Sequence, residues 1–237
     1  MLNEVELQKI NFNLSQPLAR SEVEQRAIQQ KLEGDFLILK YTLKDNNDDE
    51  LRIRIIEIGI AEKLLLMFQS LNLNLITRSI SFAFENIAIP SSSRIKNLLY
   101  SKKPYPGLIR LLYHPDIEII DNTIITIYQI LLVGSKTPPK QGVHPHFEEI
   151  QECNGIVKIF ALFRQNQSKK SKDRAVLSIG NIFRAREIPD QNMRTEIISY
   201  LKICVNDTDV WIKDQAKWRI KDLMLNPVNR AEVEKDG

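Results

Sequence analysis

Apolar residues recur along this chain at intervals of three and four, and no stretch of any strength shows the strict alternation of a half-buried strand. The pattern is clearest in four segments: ISFAFENI (80–87), TIITIYQI (123–130), AVLSIGNI (175–182) and AKWRIKDL (216–223). They align without gaps. The first position is small or apolar: Ile80, Thr123, Ala175, Ala216. Four residues on comes a large apolar residue: Phe84, Ile127, Ile179, Ile220. Two further on stands Asn86, Gln129, Asn181 or Asp222, and a large apolar residue closes each segment. At about 100° per residue, positions one and five share a helix face, while positions three and seven lie on the other side. The pattern predicts four helices that pack through one face. The opposite face carries Phe82 with Asn86, Ile125 with Gln129, Leu177 with Asn181 and Trp218 with Asp222.

A second periodicity precedes these helices. Gly59, Gly107 and Gly155 are each 48 residues apart and lead into GIAEKLLLMF, GLIRLLYHPD and GIVKIFALFR. Glycine adopts a left-handed turn without steric cost, so each is predicted to break the chain between two helices. The segments DDELRIRIIEIG, SSSRIKNLLYSKKPYPG and PHFEEIQECNG supply a short helix before each break. PDQNMRTEIISYLKICV opens a fourth unit in the same way but lacks the glycine. Three helices per unit and roughly 40–50 residues per unit is the period of helical solenoids.

The flanks are assigned by composition and by cap signals. Residues 1–20 are polar, contain Pro17, and are predicted to form a loose, flexible arm. In residues 21–44, Ser21 is a candidate N-cap and Glu24 completes a capping-box-like start. This segment is predicted to be a helix, or a broken pair, that caps the first repeat. The repeat domain spans 45–226, with GSKTPPKQGVHPH (134–146) as a loop between its second and third units. Residues 227–237 read as a polar tail.

Composition narrows the class. Hydrophobic residues make up 43% and charged residues 27% of 237, ordinary for a folded chain, and only 8 glycines argue against a turn-rich β protein. The two cysteines, Cys153 and Cys204, sit in apolar helical contexts and read as small buried thiols in a reducing compartment. MLNEVELQKI has acids where a signal peptide needs basic residues. IEIIDNTIITIYQILLV, the longest apolar candidate, is interrupted by Glu118, Asp121 and Asn122, so no membrane span is expected. A cytoplasmic or nuclear location is the expectation.

Residues 45–226 resemble the armadillo repeat family, and importin-alpha-like repeats in particular. The family pattern is a glycine, an apolar second helix, and a third helix reading Ala-x-Trp-x-Leu-x-Asn. Ala216 and Trp218 match it, with Asp222 at the Asn position; Ala175, Ile179 and Asn181 match it, with Leu177 for Trp; Asn86 matches it, with Phe82 for Trp. The resemblance implies an all-α, right-handed superhelix of about four three-helix repeats behind an N-terminal helical cap. It also implies a concave groove whose amides bond the backbone of an extended peptide, and tryptophans that stack on lysine stems. Phe82, Ile125 and Leu177 at three of the four Trp positions remove the repeated lysine slots of a nuclear-localisation-signal reader.

The candidate peptide-binding residues are therefore Asn86, Gln129, Asn181 and Asp222, with Phe82, Trp218 and Arg184 beside them. A side-chain amide offers a donor and an acceptor, so it can hold one peptide unit regardless of sequence. Helices stack about 8–10 Å apart and an extended chain advances about 3.3 Å per residue, so such a ladder meets a peptide every two or three residues. The competing reading has the same amides bonding neighbouring helices and holding the stack; Trp218 likewise reads either as a groove residue or as packing. A basic run supplies a second candidate surface: Arg164, Lys169, Lys170, Lys172, Arg174, Arg184 and Arg186 face a single acid, Asp173. It suits an acidic peptide, a nucleic acid or an anionic surface, or else a solvated loop. His144 and His146 in VHPHFEE have no cysteine pair to complete a metal site. No phosphate-cradling loop, HExxH or nucleophile elbow occurs, so neither cofactor, metal nor catalysis is expected. The reading is a non-catalytic adaptor or scaffold holding an extended peptide, with nucleic-acid or anionic-surface binding through 164–186 as the alternative.

Overall fold

The structure is a computed structural model describing residues 2–16, 22–44, 46, 48–89, 92–136 and 142–235, with the side chains of 22–29, 135 and 136 left aside. Ser21 and Glu24, the expected cap of the second helix, thus fall outside what is described. Among the described residues there is no strand. The chain forms two compact units, Met1–Thr126 and Ile127–Gly237. In the first lie α1 (Glu4–Leu14), α2 (Glu22–Leu43), α3 (Asp49–Glu57), α4 (Ile60–Ser70), a 3-10 turn at Leu73–Leu75, α5 (Arg78–Ala88), α6 (Ser93–Ser101) and α7 (Tyr105–Leu111). The long helix α8 (Ile117–Lys136) passes from one unit into the next. The second continues with α9 (Phe147–Glu152), α10 (Gly155–Gln165), α11 (Lys169–Ile182), α12 (Gln191–Cys204), α13 (Val210–Leu223) and α14 (Pro227–Glu234).

Like packs on like. In the first unit α3 lies on α6, α4 on α7 and α2 on α5; in the second α11 lies on α13. The four aligned segments are the helices α5, α8, α11 and α13. Their predicted packing positions Ile80, Phe84, Ile127, Ala175, Ile179 and Ala216 are buried. Each large aliphatic or aromatic side chain so buried contributes about 1.5–3 kcal/mol. Ile220 is only half-buried, because α13 is rotated to bury Ile212, Ala216, Arg219 and Leu223. Polar N-caps start these helices: the side chains of Thr77, Ser168 and Asp209 accept from the backbone of Ile80, Ser171 and Trp211 respectively.

The glycine periodicity is only partly a periodicity of breaks. Gly59 (φ 95°) is the left-handed residue between α3 and α4. In the next unit that conformation belongs to Lys103 (φ 51°), and in the third to Asn154 (φ 57°), with Gly155 as the first residue of α10. Gly107 lies inside α7, contrary to expectation. It is there for close packing: a Cβ would sit 2.9 Å from the Leu65 carbonyl oxygen and 3.1 Å from Phe68 Cβ of α4. In the fourth unit the single helix α12 replaces the first two helices.

Both chain ends depart from the sequence reading. The expected flexible arm contains α1, closed by a capping box between Asn3 and Glu6. Leu7 and Ile10 are buried, Asn13 Nδ2 donates to Asp35 Oδ2 at 2.7 Å, and Lys63 Nζ donates to Asn11 and Ser15. The expected polar tail contains α14, started by Asn226 and Pro227. Its Asn229 is fully buried, accepting from Ile188 N (3.1 Å) and donating to the Arg186 carbonyl (2.8 Å). One further expectation changes. The α8 stretch Ile117–Gly134 is long and apolar enough, by length and composition alone, to cross a membrane, but 72% of it is buried within the protein.

Two glycine substitutions separate the two uses of glycine. Gly34 lies inside α2 with nothing within 4 Å of an added Cβ. Gly34→Ala is expected to raise stability by about 0.5–1 kcal/mol. Gly107→Ala, which drives a methyl into the α4 backbone, is expected to lower it by about 1–3 kcal/mol. Urea unfolding midpoints of the two variants check both signs.

Candidate functional site

In the first unit the C-terminal halves of α2 and α5 enclose a pocket of about 320 Å³, lined by Lys40, Lys44, Phe82, Glu85, Asn86 and Ile89. Its floor is fastened by Arg52, a fully buried guanidinium. Arg52 donates to the carbonyls of Leu43 (3.0 Å), Asn86 (3.0 Å), Asp48 (3.3 Å) and Ile89 (3.4 Å). These carbonyls include groups at the ends of α2 and α5 that no helical N–H can satisfy, and the cation offsets both helix dipoles. Burial pulls the Arg52 pKa down, with Asp49 and Asp48 opposing. Above this floor Lys40 Nζ stands 4.6 Å from the Phe82 ring centroid and 5.4 Å from that of Tyr41. The Asn86 side-chain amide makes no hydrogen bond among the described residues and is half-buried. Two of the sequence-predicted residues, Phe82 and Asn86, thus line one concavity.

The second unit treats the corresponding positions differently. On α13 the stripe Trp211, Gln215, Trp218 and Asp222 repeats every three or four residues. Trp218 is exposed, with Lys221 Nζ 5.2 Å from its ring. The guanidinium of Arg174, on α11, stacks 3.6 Å over Trp211. Tyr128 of α8 reaches the same place: its hydroxyl donates to Gln215 Oε1 at 2.7 Å, and its ring meets Trp211 edge-on. Under this roof α11 is buried on all sides from Ala175 to Ile182, as are Phe183 and Arg184 just after it. Asn181 is 0% exposed, and neither its side-chain oxygen nor its side-chain nitrogen has a hydrogen-bond partner among the described residues. The expected ladder of accessible amides is therefore interrupted at Asn181, and the groove role assigned to it is corrected, because the residue is fully buried. Gln129 remains half-buried. Asp222 is mostly buried beside Arg219, with the nearest charged atoms 3.1 Å apart. Burial raises its pKa, and Arg219 and Arg184 oppose the shift.

Arg184, expected beside an open groove, is 1% exposed and ties down the 142–146 loop, donating to the carbonyls of Gly142 (2.8 Å) and Val143 (3.4 Å). His144 and His146 are buried in that loop with their rings edge-to-face at 4.9 Å. His144 Nε2 lies 3.0 Å from the Leu131 carbonyl, and its Nδ1 accepts from His146 N at 3.1 Å, which defines a neutral ring with its proton on Nε2. Burial, with smaller contributions from neighbouring positive charges, pushes His144 down to about 3; burial pushes His146 down to about 4. Cys204 is buried and Cys153 half-buried, both as free thiols.

The basic run does not converge. Lys169 is paired with Asp173 (2.6 Å) and Asp207 (2.8 Å), Arg164 with Glu196 (3.6 Å) and Arg186 with Glu148 (3.0 Å). Lys172 lies over the Tyr200 ring at 4.6 Å, Arg186 over Phe147 at 3.7 Å, and Arg174 over Trp211. Arg184 is internal, and Lys170 is exposed. The single patch expected over 164–186 is thereby corrected to separate contacts: Arg164, Lys169 and Arg186 pair with carboxylates, Lys172 and Arg174 lie over rings, and Arg184 is buried. Among the described residues no cluster of ligating side chains suits a metal.

No family model and no curated protein matches this sequence. Solved structures do match. A designed armadillo repeat protein in complex with the peptide (KR)4 superposes with a TM-score of 0.67 at 18% identity, over 97% of this chain and 87% of that one. A second designed armadillo repeat protein gives 0.67 at 17% identity, over 98% and 88%. A structure of computationally designed armadillo repeat proteins for modular peptide recognition gives 0.63 at 18%, over 97% and 87%. The chain has an armadillo-type repeat fold.

Sequence reading missed Arg52, Lys40 and Lys44. Arg52 had a signal: an arginine amid LRIRII is buried only if its donors are satisfied. Lys40 and Lys44, one turn apart near the end of a helix, had none that distinguishes them from solvated lysines.

Two outcomes follow for the second unit. Asn181→Ala removes two unsatisfied buried groups, each worth about 1–3 kcal/mol of desolvation, and leaves a small cavity. The melting midpoint is expected to hold or rise; a drop equivalent to more than about 2 kcal/mol would show that the amide is hydrogen-bonded in solution. The buried histidines bind protons more weakly folded than unfolded, so the unfolded state takes up protons first below the ordinary histidine value of 6.5. Stability is therefore full above that pH and falls as pH drops through it toward 4. Melting curves across this window check the slope, and His144→Gln, which retains a donor for Leu131, is expected to flatten it.

Proposed function

We propose that this protein is a non-catalytic scaffold that holds an extended segment of another protein against its third-helix faces. The observation that carries the reading is the α2–α5 pocket. An apolar floor, Phe82 and Ile89, lies beside a side-chain amide, Asn86, that has no hydrogen-bond partner among the described residues and offers a donor and an acceptor to one peptide unit. A structural neighbour solved with a bound peptide supports the same use of the fold, as does one designed for modular peptide recognition. Nucleic-acid binding through residues 164–186 is the weaker reading, because Arg164, Lys169 and Arg186 there are paired with carboxylates and Arg184 is buried.

An array of unstructured peptides probed with the full chain tests the proposal, with fluorescence anisotropy on those retained. Asn86→Ala is expected to weaken binding about fivefold, the equivalent of about 1 kcal/mol for one hydrogen-bonded contact, with an unchanged melting midpoint. An array that retains no peptide, or binding that is indifferent to both Asn86→Ala and Phe82→Ala, overturns it.

A further inference from the structure

Aromatic residues of the third-helix faces already have the protein's own cations beside their rings, and this determines the charge they present. In the first unit Lys40 stands over Phe82, and Lys44 follows one turn later, just past the end of α2. In the second unit Arg174 stacks over Trp211, and Lys221 stands over Trp218. An aromatic face attracts one cation at a time, so a ring with a lysine or arginine resting on it has little attraction left for a cation from outside. The ammonium it holds still has N–H groups for an anion.

From this arrangement we infer that the α2–α5 pocket selects acidic peptide segments, with Lys40 and Lys44 gripping an Asp or Glu side chain while Asn86 holds the adjacent backbone. The inference rests on the peptide-binding reading above and adds the partner's chemistry to it. Two ammonium groups face one carboxylate, Glu85, among the lining residues. Arg52 offsets the negative ends of α2 and α5, which would otherwise repel an anion at this place. Lys40 is held by Phe82 rather than free in solvent, so less of its conformational freedom is lost when a carboxylate arrives. A peptide suits the pocket better than a nucleic acid. Phe82 and Ile89 give it an apolar floor, Asn86 pairs with N–H and C=O of a peptide unit, and Glu85 opposes a continuous phosphate chain.

The test uses the full chain and three labelled peptides of about twelve residues, alternating serine with glutamate, glutamine or lysine. Anisotropy titrations are expected to show the glutamate peptide binding about tenfold tighter than the glutamine peptide, as a charge-assisted contact implies, and the lysine peptide weakest. Lys44→Glu changes an exposed residue, so it is expected to fold normally and to abolish or reverse that order. Equal binding of all three peptides, or preference for the lysine peptide, overturns the acidic selectivity while leaving peptide binding itself intact. If none of the three binds although the array retains other peptides, the selectivity again falls alone; if the array is also empty, the peptide-binding reading falls with it. A single-stranded oligonucleotide of similar charge that binds as tightly as the glutamate peptide, and loses as much with Lys44→Glu, also overturns the inference, because charge alone would then account for the site.

Discussion

Within each compact unit the structure depends on a third helix having to bury its apolar face against another helix of that unit. No single three-helix unit encloses its own core. α2 therefore lies along α5, and α11 along α13. How closely two such helices approach is set by what stands between them. At Gly180 of α11 an added Cβ would lie 2.8 Å from Arg219 Cβ of α13. At Gly107 the same device brings α7 onto α4. A methyl group at either place would force the stack apart, and interiors packed at near-crystalline density do not absorb that freely.

Packing one face of each third helix leaves the opposite stripe to chemistry, and the two units use it differently. In the first, Arg52 ties the helix ends together beside a pocket where Lys40 rests on Phe82 and the Asn86 side-chain amide has no hydrogen-bond partner among the described residues. In the second, Tyr128, Trp211, Gln215 and Arg174 knit together over α11, and the 142–146 loop is drawn in by Arg184. The same helical register thus yields an open site in one unit and a buried polar layer in the other. What differs is the neighbouring side chains. A tyrosine beside Gln129 is long enough to reach α13, and among the described residues no side chain hydrogen-bonds the Asn86 amide.

The chain ends show how polar contacts escape a reading based on apolar periodicity. α1 docks through Leu7, Ile10, Asn13 and a lysine from α4, and α14 through Asn229, whose amide satisfies one donor and one acceptor of the 186–188 segment. Two apolar residues, or one asparagine, do not make a periodic pattern. Their contribution exists only once a partner with the matching unsatisfied group is in place.

Sequence alone determined the helical class, the four aligned third helices and most of their packing face, because a repeating apolar pattern is a local property that each helix carries with it. It also placed Phe82 and Asn86 on the side away from that face. Tertiary structure alone decided which of those residues stay accessible, that Gly107 serves close approach rather than a turn, that Lys103 and Asn154 take the left-handed breaks, and that seven nearby cations do not form one patch. Those outcomes turn on distances of a few ångströms between residues 20 to 90 positions apart, as between Tyr128 and Gln215 or Lys40 and Phe82. Side chains of identical type are buried, paired or free according to what the neighbouring helix happens to present.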